Sequence, residues 1–292
     1  MYNKLKGCLE DNMVISVDVG GTNMRVALVD LSEGAEIIRT ETHRVPQDYG
    51  EGIEKLIHHI TDLSAKHKLE GIGACFPGII DENDMVTTAN NLPGWEMQPI
   101  RPALEDRFGV PVRLVHDAQG AALGEALFGA ASHTDRFVYF IWGTGIGAAD
   151  IKRIDAHRYF MFSFENGHHI MEWEGKQCNC GQRGCPEAYL GGDVLAEYFG
   201  EEMAGVSDED PRWDFVVQKA AQVVINTLIF HPVHLFVFNG GVIRNRPFLL
   251  DRIRPLIRKR LKMFPMPEMV LAEKGDQAAL YGCAGLFQVD LV

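Results

Sequence analysis

The chain has 292 residues, of which 46% are hydrophobic, and a formal net charge of −12 at pH 7. A chain of this length and apolar content can bury a large core, and we expect two domains. The acidic balance argues against a nucleic-acid groove or an anionic membrane surface as a partner. Residues 1–12 lack the apolar region of a signal peptide, and no apolar run is long enough to span a membrane. We therefore expect a soluble cytoplasmic protein.

The first informative feature is a glycine turn between two apolar, β-branched runs. Residues 13–17 and 24–29 predict β-strands, and the segment between them reads Asp-Val-Gly-Gly-Thr-Asn. The glycines leave backbone N–H groups accessible and the threonine hydroxyl adds a donor, which suits phosphate oxygens. Asp18, at the end of the first strand, is a candidate for holding a magnesium ion through water. A simple Gly-Gly hairpin is the alternative interpretation of these residues.

The next part of the chain alternates helices and strands. Periodicity predicts an amphipathic helix at 52–67, a strand at 71–76, a loop at 90–95, a helix at 100–108, a strand at 110–115 and a helix at 118–128. Asp117 therefore lies at the carboxyl end of a strand, where ligands of α/β sheets bind. A helix N-cap is the structural alternative for this residue.

A second glycine turn follows about 125 residues after the first, between predicted strands at 137–142 and 149–153. It runs Gly143-Thr144-Gly145-Ile146-Gly147. Neither turn matches the Walker pattern or opens directly into a helix as a dinucleotide fingerprint does. Two similar strand-turn-strand units suggest a duplicated fold that holds a nucleotide's phosphates from both sides. A third turn, at Gly240 and Gly241, follows a strand at 235–238 and would let the backbone approach a base or ribose.

One short segment carries a set of metal ligands. His168, Cys178, Cys180 and Cys185 provide one imidazole and three thiols. Four ligands of these types suit a structural zinc ion with a closed coordination shell, which leaves no position for an activated water. Gly181 and Gly184 let the backbone turn sharply enough for the sulfurs to converge. A disulfide or ordinary surface residues are the alternatives, and a disulfide does not fit a reducing compartment.

Two carboxylates flank this metal segment. Glu165 lies three residues before His168, and Glu187 lies two residues after Cys185. A zinc-bound imidazole has one ring nitrogen left to donate, so the segment offers a fixed donor beside fixed acceptors. Such an arrangement suits a polyhydroxylated ligand.

The rest of the chain supplies further predicted elements. Residues 158–164, rich in aromatic side chains, are interpreted as a loop before Glu165, and helices are predicted at 193–203, 213–230 and 247–262. The tail at 275–284 starts with an N-cap candidate and has small residues suited to close packing. The basic face of the helix at 247–262 is interpreted as solvated. Domain boundaries are expected near Asp117 and Glu273.

These motifs together resemble the ROK family of sugar kinases, regulators and open reading frames. The resemblance is carried by the turns at 18–22 and 143–147, the Glu-x-Gly-His at 165–168 and the Cys-x-Cys-Gly-x-x-Gly-Cys-x-Glu at 178–187. Pro77-Gly78, residues 91–95 and the Gly-Asp-x-Ala-Ala tail extend it over nearly the whole chain. The cysteine motif is highly specific, whereas the glycine turns alone are not.

The resemblance implies an α/β fold of the actin-like ATPase (ribonuclease H-like) type, with two lobes and a central cleft. Residues 1–116 with a C-terminal helix at 275–292 would form the smaller lobe, and residues 117–274 the larger one. The zinc ligands would be the one histidine and three cysteines named above. A homodimer is also implied. Family regulators carry a DNA-binding winged helix before the first turn, and only 17 residues precede Asp18 here, so the kinase branch is expected.

The resemblance also implies site residues for a kinase that uses ATP and Mg²⁺. Asp117 would be the catalytic base. The predicted sugar contacts are Asn91, His116, Glu165, His168 and Glu187. The predicted ATP contacts lie in the three turns, at Asp18, Gly20, Gly21, Thr22, Asn23, Gly143, Thr144, Gly145, Gly147, Gly240 and Gly241.

Two departures from the family pattern bear on function. The family usually has Asn before the catalytic Asp, where this chain has His116, and the segment before Glu165 is usually rich in Gly, Ala and Asn. Our hypothesis is a kinase that phosphorylates a hexose such as glucose or allose, at C6. Crowding by the aromatic segment disfavours an N-acetyl group. The alternatives are an N-acetylmannosamine or N-acetylglucosamine kinase and a catalytically weakened sugar sensor.

Overall fold

The computed structural model describes residues 12–81, 83, 85–89, 92–200 and 205–292. Its strands are β1 (Met13–Val19), β2 (Asn23–Asp30), β3 (Glu36–Arg44), β4 (Leu69–Phe76), β5 (Ile79–Ile80), β6 (Val86–Thr88), β7 (Val112–His116), β8 (Arg136–Trp142), β9 (Ile146–Arg153), β10 (Arg158–Phe164), β11 (Leu235–Asn239), β12 (Glu268–Leu271) and β13 (Asp290–Leu291). Its helices are α1 (Tyr49–Ser64), α2 (Ile100–Phe108), α3 (Asp117–Phe128), α4 (Glu187–Leu190), α5 (Gly192–Phe199), α6 (Trp213–Phe230), α7 (Gly241–Asn245), α8 (Phe248–Arg260) and α9 (Ala278–Gly285). Short 3-10 helices cover Pro93–Trp95 and Gly275–Gln277.

The chain forms two compact units. The first contains the described residues up to Phe128 together with Gln277–Leu291, and the second contains Gly129–Asp276 with Val292. None of the helices found in the described part of the chain is both long enough and apolar enough to cross a membrane.

The first unit is built on a sheet with the order β3-β2-β1-β4-β7. β1 pairs antiparallel with β2 and parallel with β4, and β4 pairs parallel with β7. β1 is buried along nearly its whole length, and five of its seven residues are apolar, as in a strand covered on both faces. Helix α1 buries Ile53, Leu56 and Ile60 in this core, and its N-cap Asp48 accepts a hydrogen bond from the Glu51 N–H.

The second unit repeats this strand arrangement. Its strands follow the order β12-β11-β8-β9-β10, in which β8 pairs antiparallel with β9 and parallel with β11. β9 and β10 are antiparallel, and β11 and β12 are parallel. Each unit therefore has a meander followed by two parallel strands, with a glycine turn in its first hairpin. The duplication predicted from the two glycine turns is confirmed.

Helices α3 and α9 pack together in the first unit at backbone distance. A Cβ atom on Gly282 would overlap the carbonyl oxygen of Gly120, and one on Gly124 would overlap that of Ala278. Only glycine permits such an approach. α3 consequently belongs to the first unit, whereas the sequence-based boundary at Asp117 placed it with the second. The predicted boundary at Asp117 coincides with the first residue of α3. Packing against α9 places α3 in the first unit.

Most predicted helices and strands are present, but the C-terminal helix expected at 275–292 is wrong beyond Gly285, where α9 ends and Asp290–Leu291 form β13. The helices predicted at 100–108 and 213–230 match α2 and α6 at both ends, and α1 begins three residues before its predicted start. Part of the helix predicted at 193–203 lies outside the described residues, as does Asn91.

The loop predicted at 158–164 is wrong, because these residues form strand β10. Alternating aromatic residues favour a strand, and the family comparison had concealed that pattern. The rings of Phe162 and Phe164 stack, with centroids 6.3 Å apart, and Phe164 stacks on His231 at 4.0 Å. His231 is the C-cap residue that follows α6. The aromatic segment therefore packs against the end of a helix.

A buried carboxylate, Asp150 on β9, connects this aromatic stack to the sheet. Arg136 donates to both carboxylate oxygens at 3.0 and 2.6 Å, and the His231 ring lies 3.0 Å from Oδ2. Burial alone would raise the pKa of Asp150, but the hydrogen bonds and charges of Arg136 and His231 together lower it. A lowered folded-state pKa means that this carboxylate stabilises the fold above its unfolded-state pKa.

We predict that Asp150→Asn lowers the free energy of unfolding by about 2 kcal/mol at pH 7, because it removes the charged acceptor of Arg136. The difference from wild type should shrink as the pH falls below about 4, since the wild-type carboxylate is then protonated. Urea unfolding at a series of pH values measures both quantities.

The matched control is Asp155→Asn, which removes an exposed carboxylate paired with Arg158. It should leave the unfolding midpoint unchanged. Equal destabilisation by the two variants would contradict the role given to the buried carboxylate.

Candidate functional site

The first glycine turn joins β1 to β2. The Gly20 N–H donates to the Asn23 carbonyl oxygen at 2.8 Å, which closes the turn. Thr22 and Asn23 are exposed at its tip, and Gly21 is half-buried. The backbone of residues 20–23 is therefore tightly folded and reachable by a ligand.

Asp18, directly before this turn, is held by two neighbours that the sequence analysis did not identify. Arg25 on β2 donates from both Nε and Nη2 to Oδ2, the former at 3.0 Å. The Cys75 thiol donates to Oδ1 at 3.3 Å. Asp18 and Arg25 face each other in the β1–β2 register. The alternation of the hairpin could have signalled this pair, whereas the contact with Cys75 requires the parallel pairing of β1 with β4.

Asp117 is the first residue of α3 and follows β7 directly. The predicted position at a strand-to-helix junction is confirmed. Its Oδ1 accepts from the Ala118 N–H at 2.6 Å and lies 3.1 Å from Nδ1 of His116. The Asp117 side chain is 37% exposed, so a carboxylate at the end of a parallel strand is presented to solvent. His116 thus contacts Asp117 directly.

The second glycine turn lies between β8 and β9. The Gly143 N–H donates to the Gly145 carbonyl oxygen at 3.0 Å, and the Gly192 N–H at the start of α5 donates to the carbonyl oxygen of Gly143 at 2.9 Å. Helix α5 therefore begins against this turn.

The third turn is next to the second. A Cβ atom on Gly143 would lie 3.6 Å from the Gly241 nitrogen, and Gly240 has φ of +105°. At Gly240 a side chain would overlap the Trp142 carbonyl oxygen. A Cβ atom on Gly241 would have no neighbour within 4 Å, so the backbone there is open to a ligand.

The four predicted metal ligands lie together. The ligand atoms of His168, Cys178, Cys180 and Cys185 are all within 4.8 Å of one another. Sγ of Cys178 is 3.6 Å from Nδ1 of His168, and the sulfurs of Cys180 and Cys185 are 3.8 Å apart. Zinc bonds of about 2.3 Å to sulfur and about 2.0–2.1 Å to nitrogen, at tetrahedral angles, imply separations of roughly 3.6 and 3.8 Å. The residues therefore fit a tetrahedral zinc ion.

The backbone turns and the cysteine pKa values describe the surroundings of this cluster. Gly181 and Gly184 have φ of +92° and +77°, as the predicted sharp turns require. Burial, followed by the neighbouring thiols, raises the pKa of Cys185 to about 12. Burial also raises the pKa of Cys178, whereas hydrogen bonds from Gln182 and the neighbouring thiols lower the pKa of Cys180.

Glu187 connects the metal segment to the second glycine turn. Its Oε2 accepts from the Ile146 N–H at 2.9 Å, and its own N–H donates to the Gly167 carbonyl oxygen at 3.1 Å. Nε2 of His168, the nitrogen that points away from the thiols, is 3.8 Å from Oε1 of Glu187. That distance exceeds a hydrogen bond, so Nε2 and Oε1 form a donor and acceptor side by side. Glu165 is exposed, and its carbonyl oxygen accepts from the His168 N–H at 3.0 Å.

Support for the metal segment comes from residues that the sequence analysis missed. The Tyr189 hydroxyl donates to Glu172 at 2.6 Å and accepts from the Lys176 N–H at 2.8 Å. Lys219 on α6 pairs with Glu172. These three contacts join the segment to helix α6, and no local spacing could have indicated them.

The predicted site residues therefore form two groups, one in each unit. The first unit holds the turn at 18–23, His116 and Asp117. The second holds the turns at 143–147 and 240–241, Glu165, Glu187 and the four candidate metal ligands. Asn91 is outside the described residues.

Comparison with solved structures gives the class of protein. The chain is similar to a ROK family glucokinase from Streptomyces griseus in complex with glucose and AMPPNP, with a TM-score of 0.78 and 26% identity over 94% of this chain and 99% of that one. A ROK hexokinase from Thermus thermophilus gives a TM-score of 0.76 and 26% identity over 93% and 96% of the two chains. The fold is therefore that of the actin-like ATPases.

The sequence comparisons give the family. The ROK family model matches residues 14–289, and a glucokinase from Thermotoga maritima is 34% identical over 94% of this chain and 97% of its own length. A xylose repressor from Bacillus spizizenii is 30% identical over 85% of this chain and 69% of that protein. The chain belongs to the ROK family, as its motifs had indicated.

We predict that the purified protein contains at least one zinc ion per chain and that Cys185→Ser lowers the zinc content by about one equivalent. A serine oxygen is a poorer ligand for zinc than a thiolate sulfur. Elemental analysis of the two proteins measures the zinc content directly.

Cys75→Ala, which removes a thiol elsewhere in the chain, should retain the wild-type zinc content. Wild-type protein without zinc, or equal zinc in the wild-type and Cys185→Ser proteins, would show that the cluster is not a zinc site.

Proposed function

We propose that this protein is an ATP-dependent sugar kinase that transfers the γ-phosphoryl group of ATP to a hexose, at the C6 hydroxyl of a sugar such as glucose. The observation that carries the proposal is the position of Asp117 at the end of β7, in a chain similar over nearly its whole length to a glucokinase. We also propose a cytoplasmic homodimer, as the family resemblance implies.

Asp117 is the proposed catalytic base. Its carboxylate is exposed enough to reach a bound sugar, and the Ala118 N–H fixes one of its oxygens at 2.6 Å. It would accept the proton of the sugar hydroxyl as that oxygen attacks the γ-phosphoryl group. Nδ1 of His116 lies 3.1 Å from Oδ1 of Asp117 and accepts from the same Ala118 N–H at 3.1 Å, so the two side chains share one donor.

The glycine turns are the proposed phosphate contacts. Backbone N–H groups of the turns at 18–23 and 143–147 would bind the phosphate oxygens, and the open backbone at Gly241 leaves room for the rest of the nucleotide. Arg25 and Cys75 already contact both oxygens of Asp18, so this carboxylate suits a magnesium ion bound through water. The ion would neutralise charge on the transferred group.

The metal segment is the proposed sugar contact. A zinc ion on Nδ1 of His168 would leave Nε2 with its proton, and that atom lies beside Oε1 of Glu187. Together with Glu165, and with Asn91 as the family implies, these groups would bind sugar hydroxyls. Phosphoryl transfer depends mainly on the position of the sugar hydroxyl relative to the γ-phosphoryl group. A rigid segment would therefore contribute by holding the sugar in place.

Glucose is the proposed substrate because relatives of this chain are glucokinases. Phe162 and Phe164 lie on strand β10 and stack with His231, so these side chains give no reason to disfavour an N-acetyl group. Kinases for N-acetylmannosamine and N-acetylglucosamine therefore remain alternative functions, and the assay below includes both sugars.

A sugar-sensing protein without efficient transfer is the second candidate. The similarity to a xylose repressor supports it, as does the contact of His116 with Asp117. This candidate predicts sugar binding that does not depend on nucleotide and gives no product.

We predict sugar-dependent ADP formation, measured in a coupled assay over a panel of glucose, allose, mannose, xylose and the two N-acetylhexosamines. Glucose should give the highest kcat/KM. Sugar binding by calorimetry without turnover of any sugar would support the sensor and contradict the kinase.

We predict that Asp117→Asn lowers kcat by about 10²–10⁴-fold, because the amide cannot accept the proton. The thermal midpoint and nucleotide binding should be unchanged. Asp106→Asn, at an exposed residue of α2, serves as the control and should keep full activity. Near-normal turnover by Asp117→Asn would remove this residue from the role of base.

A further inference from the structure

A second set of metal-ligand side chains lies in the first unit, away from the residues assigned above. Glu41 and His43 are on β3, the edge strand of the sheet, and His59 is on α1. One ligand atom from each of these residues lies within 4.8 Å of the others. Residues two apart on a strand share a face, so Glu41 and His43 both face His59.

The atoms of this trio converge on one carboxylate oxygen. Nε2 of His43 and Nδ1 of His59 are each 3.3 Å from Oε2 of Glu41. Bonds of about 2.0–2.1 Å from a tetrahedral ion to nitrogen or oxygen place two ligand atoms roughly 3.3 Å apart. Both separations from Oε2 match this spacing and also lie within hydrogen-bond reach, so the positions of the three side chains are compatible with a common divalent ion.

A hydrogen bond from Arg39 and the burial of His59 leave Glu41 and His59 each with one atom directed at the trio. Arg39 donates to Oε1 of Glu41 at 2.6 Å, which leaves Oε2 for the trio. His59 is only 12% exposed, and its buried Nε2 has no hydrogen-bond partner, so the ring interacts with polar groups through Nδ1. Burial disfavours the imidazolium, and a neutral imidazole is the form that binds metal.

Binding of an ion would change the relative orientation of the His43 and His59 rings. They are stacked, with centroids 3.4 Å apart and planes 12° from parallel. Parallel rings direct their lone pairs side by side, so a shared ion requires the rings to tilt apart. His43 is 27% exposed and has room to do so. The same exposure lets water complete the coordination shell.

We propose that Glu41, His43 and His59 form a second divalent metal site, selective for zinc-like transition ions. Two imidazoles and one carboxylate with an open fourth position are a known zinc ligand set, and hard ions such as Mg²⁺ prefer oxygen ligands alone. The ion would join edge strand β3 to helix α1. This site is independent of the proposed kinase activity.

The test begins with protein whose cysteine site is filled, so that further binding is counted separately. Calorimetric titration with Zn²⁺ should show about one additional equivalent. Glu41→Gln and His59→Asn should each weaken this binding by on the order of 100-fold. Titration with Co²⁺ should give d–d absorption without the thiolate charge-transfer band that cysteine ligands produce.

The matched control is His58→Ala. His58 is the adjacent residue on the same helix and pairs with Asp62 on the exposed side. This variant should bind the additional equivalent as the wild type does. Circular dichroism of the same preparations establishes that the variants fold, and Lys55, which donates to the Arg44 carbonyl oxygen at 3.0 Å, holds α1 to β3 in all of them.

Three results would overturn the proposal. They are the absence of a second equivalent in the wild type, an unchanged affinity in both Glu41→Gln and His59→Asn, and equal weakening by His58→Ala. The first would leave the trio as a hydrogen-bonded cluster, and the third would indicate nonspecific binding to surface histidines.

Discussion

The hydrogen bond from the Ile146 N–H to Oε2 of Glu187 joins the two parts of the second unit that the proposed reaction uses. One end belongs to the glycine turn between β8 and β9, and the other belongs to the segment with the candidate zinc ligands. A charge-assisted bond of this kind contributes about 1.5–3 kcal/mol and fixes direction as well as distance. Because Glu187 also holds Gly167 through its backbone, a shift in the metal segment would move the turn. The proposed phosphate and sugar contacts thus share one anchor.

The features that were predictable from sequence are local. Helices α2 and α6 have a continuous apolar period, and the glycine turns stand between β-branched runs, so short windows contain the full signal. The metal ligands are similarly local, since three of them fall within eight residues and glycines at 181 and 184 reveal the turns.

The features that were missed depend on contacts between distant residues. Cys75 reaches Asp18 only because β4 lies beside β1, and Glu41 meets His59 only because α1 covers the edge of the sheet. No window of the sequence contains either pair. The strand at β10 was missed for a different reason, because a family expectation of a loop replaced the alternation of its aromatic residues.

The contact between α3 and α9 has a consequence for how the chain reaches its folded state. The first unit is discontinuous, since the whole of the second unit is inserted between α3 and α9. Leu280 and Ala284 of α9 cover Val14, Ala27 and Val29 of the first sheet. During synthesis on the ribosome that apolar surface stays uncovered until the second unit has been translated. The nascent chain therefore exposes this apolar face of the first sheet until α9 is synthesised, and exposed apolar surface of this kind is prone to aggregation.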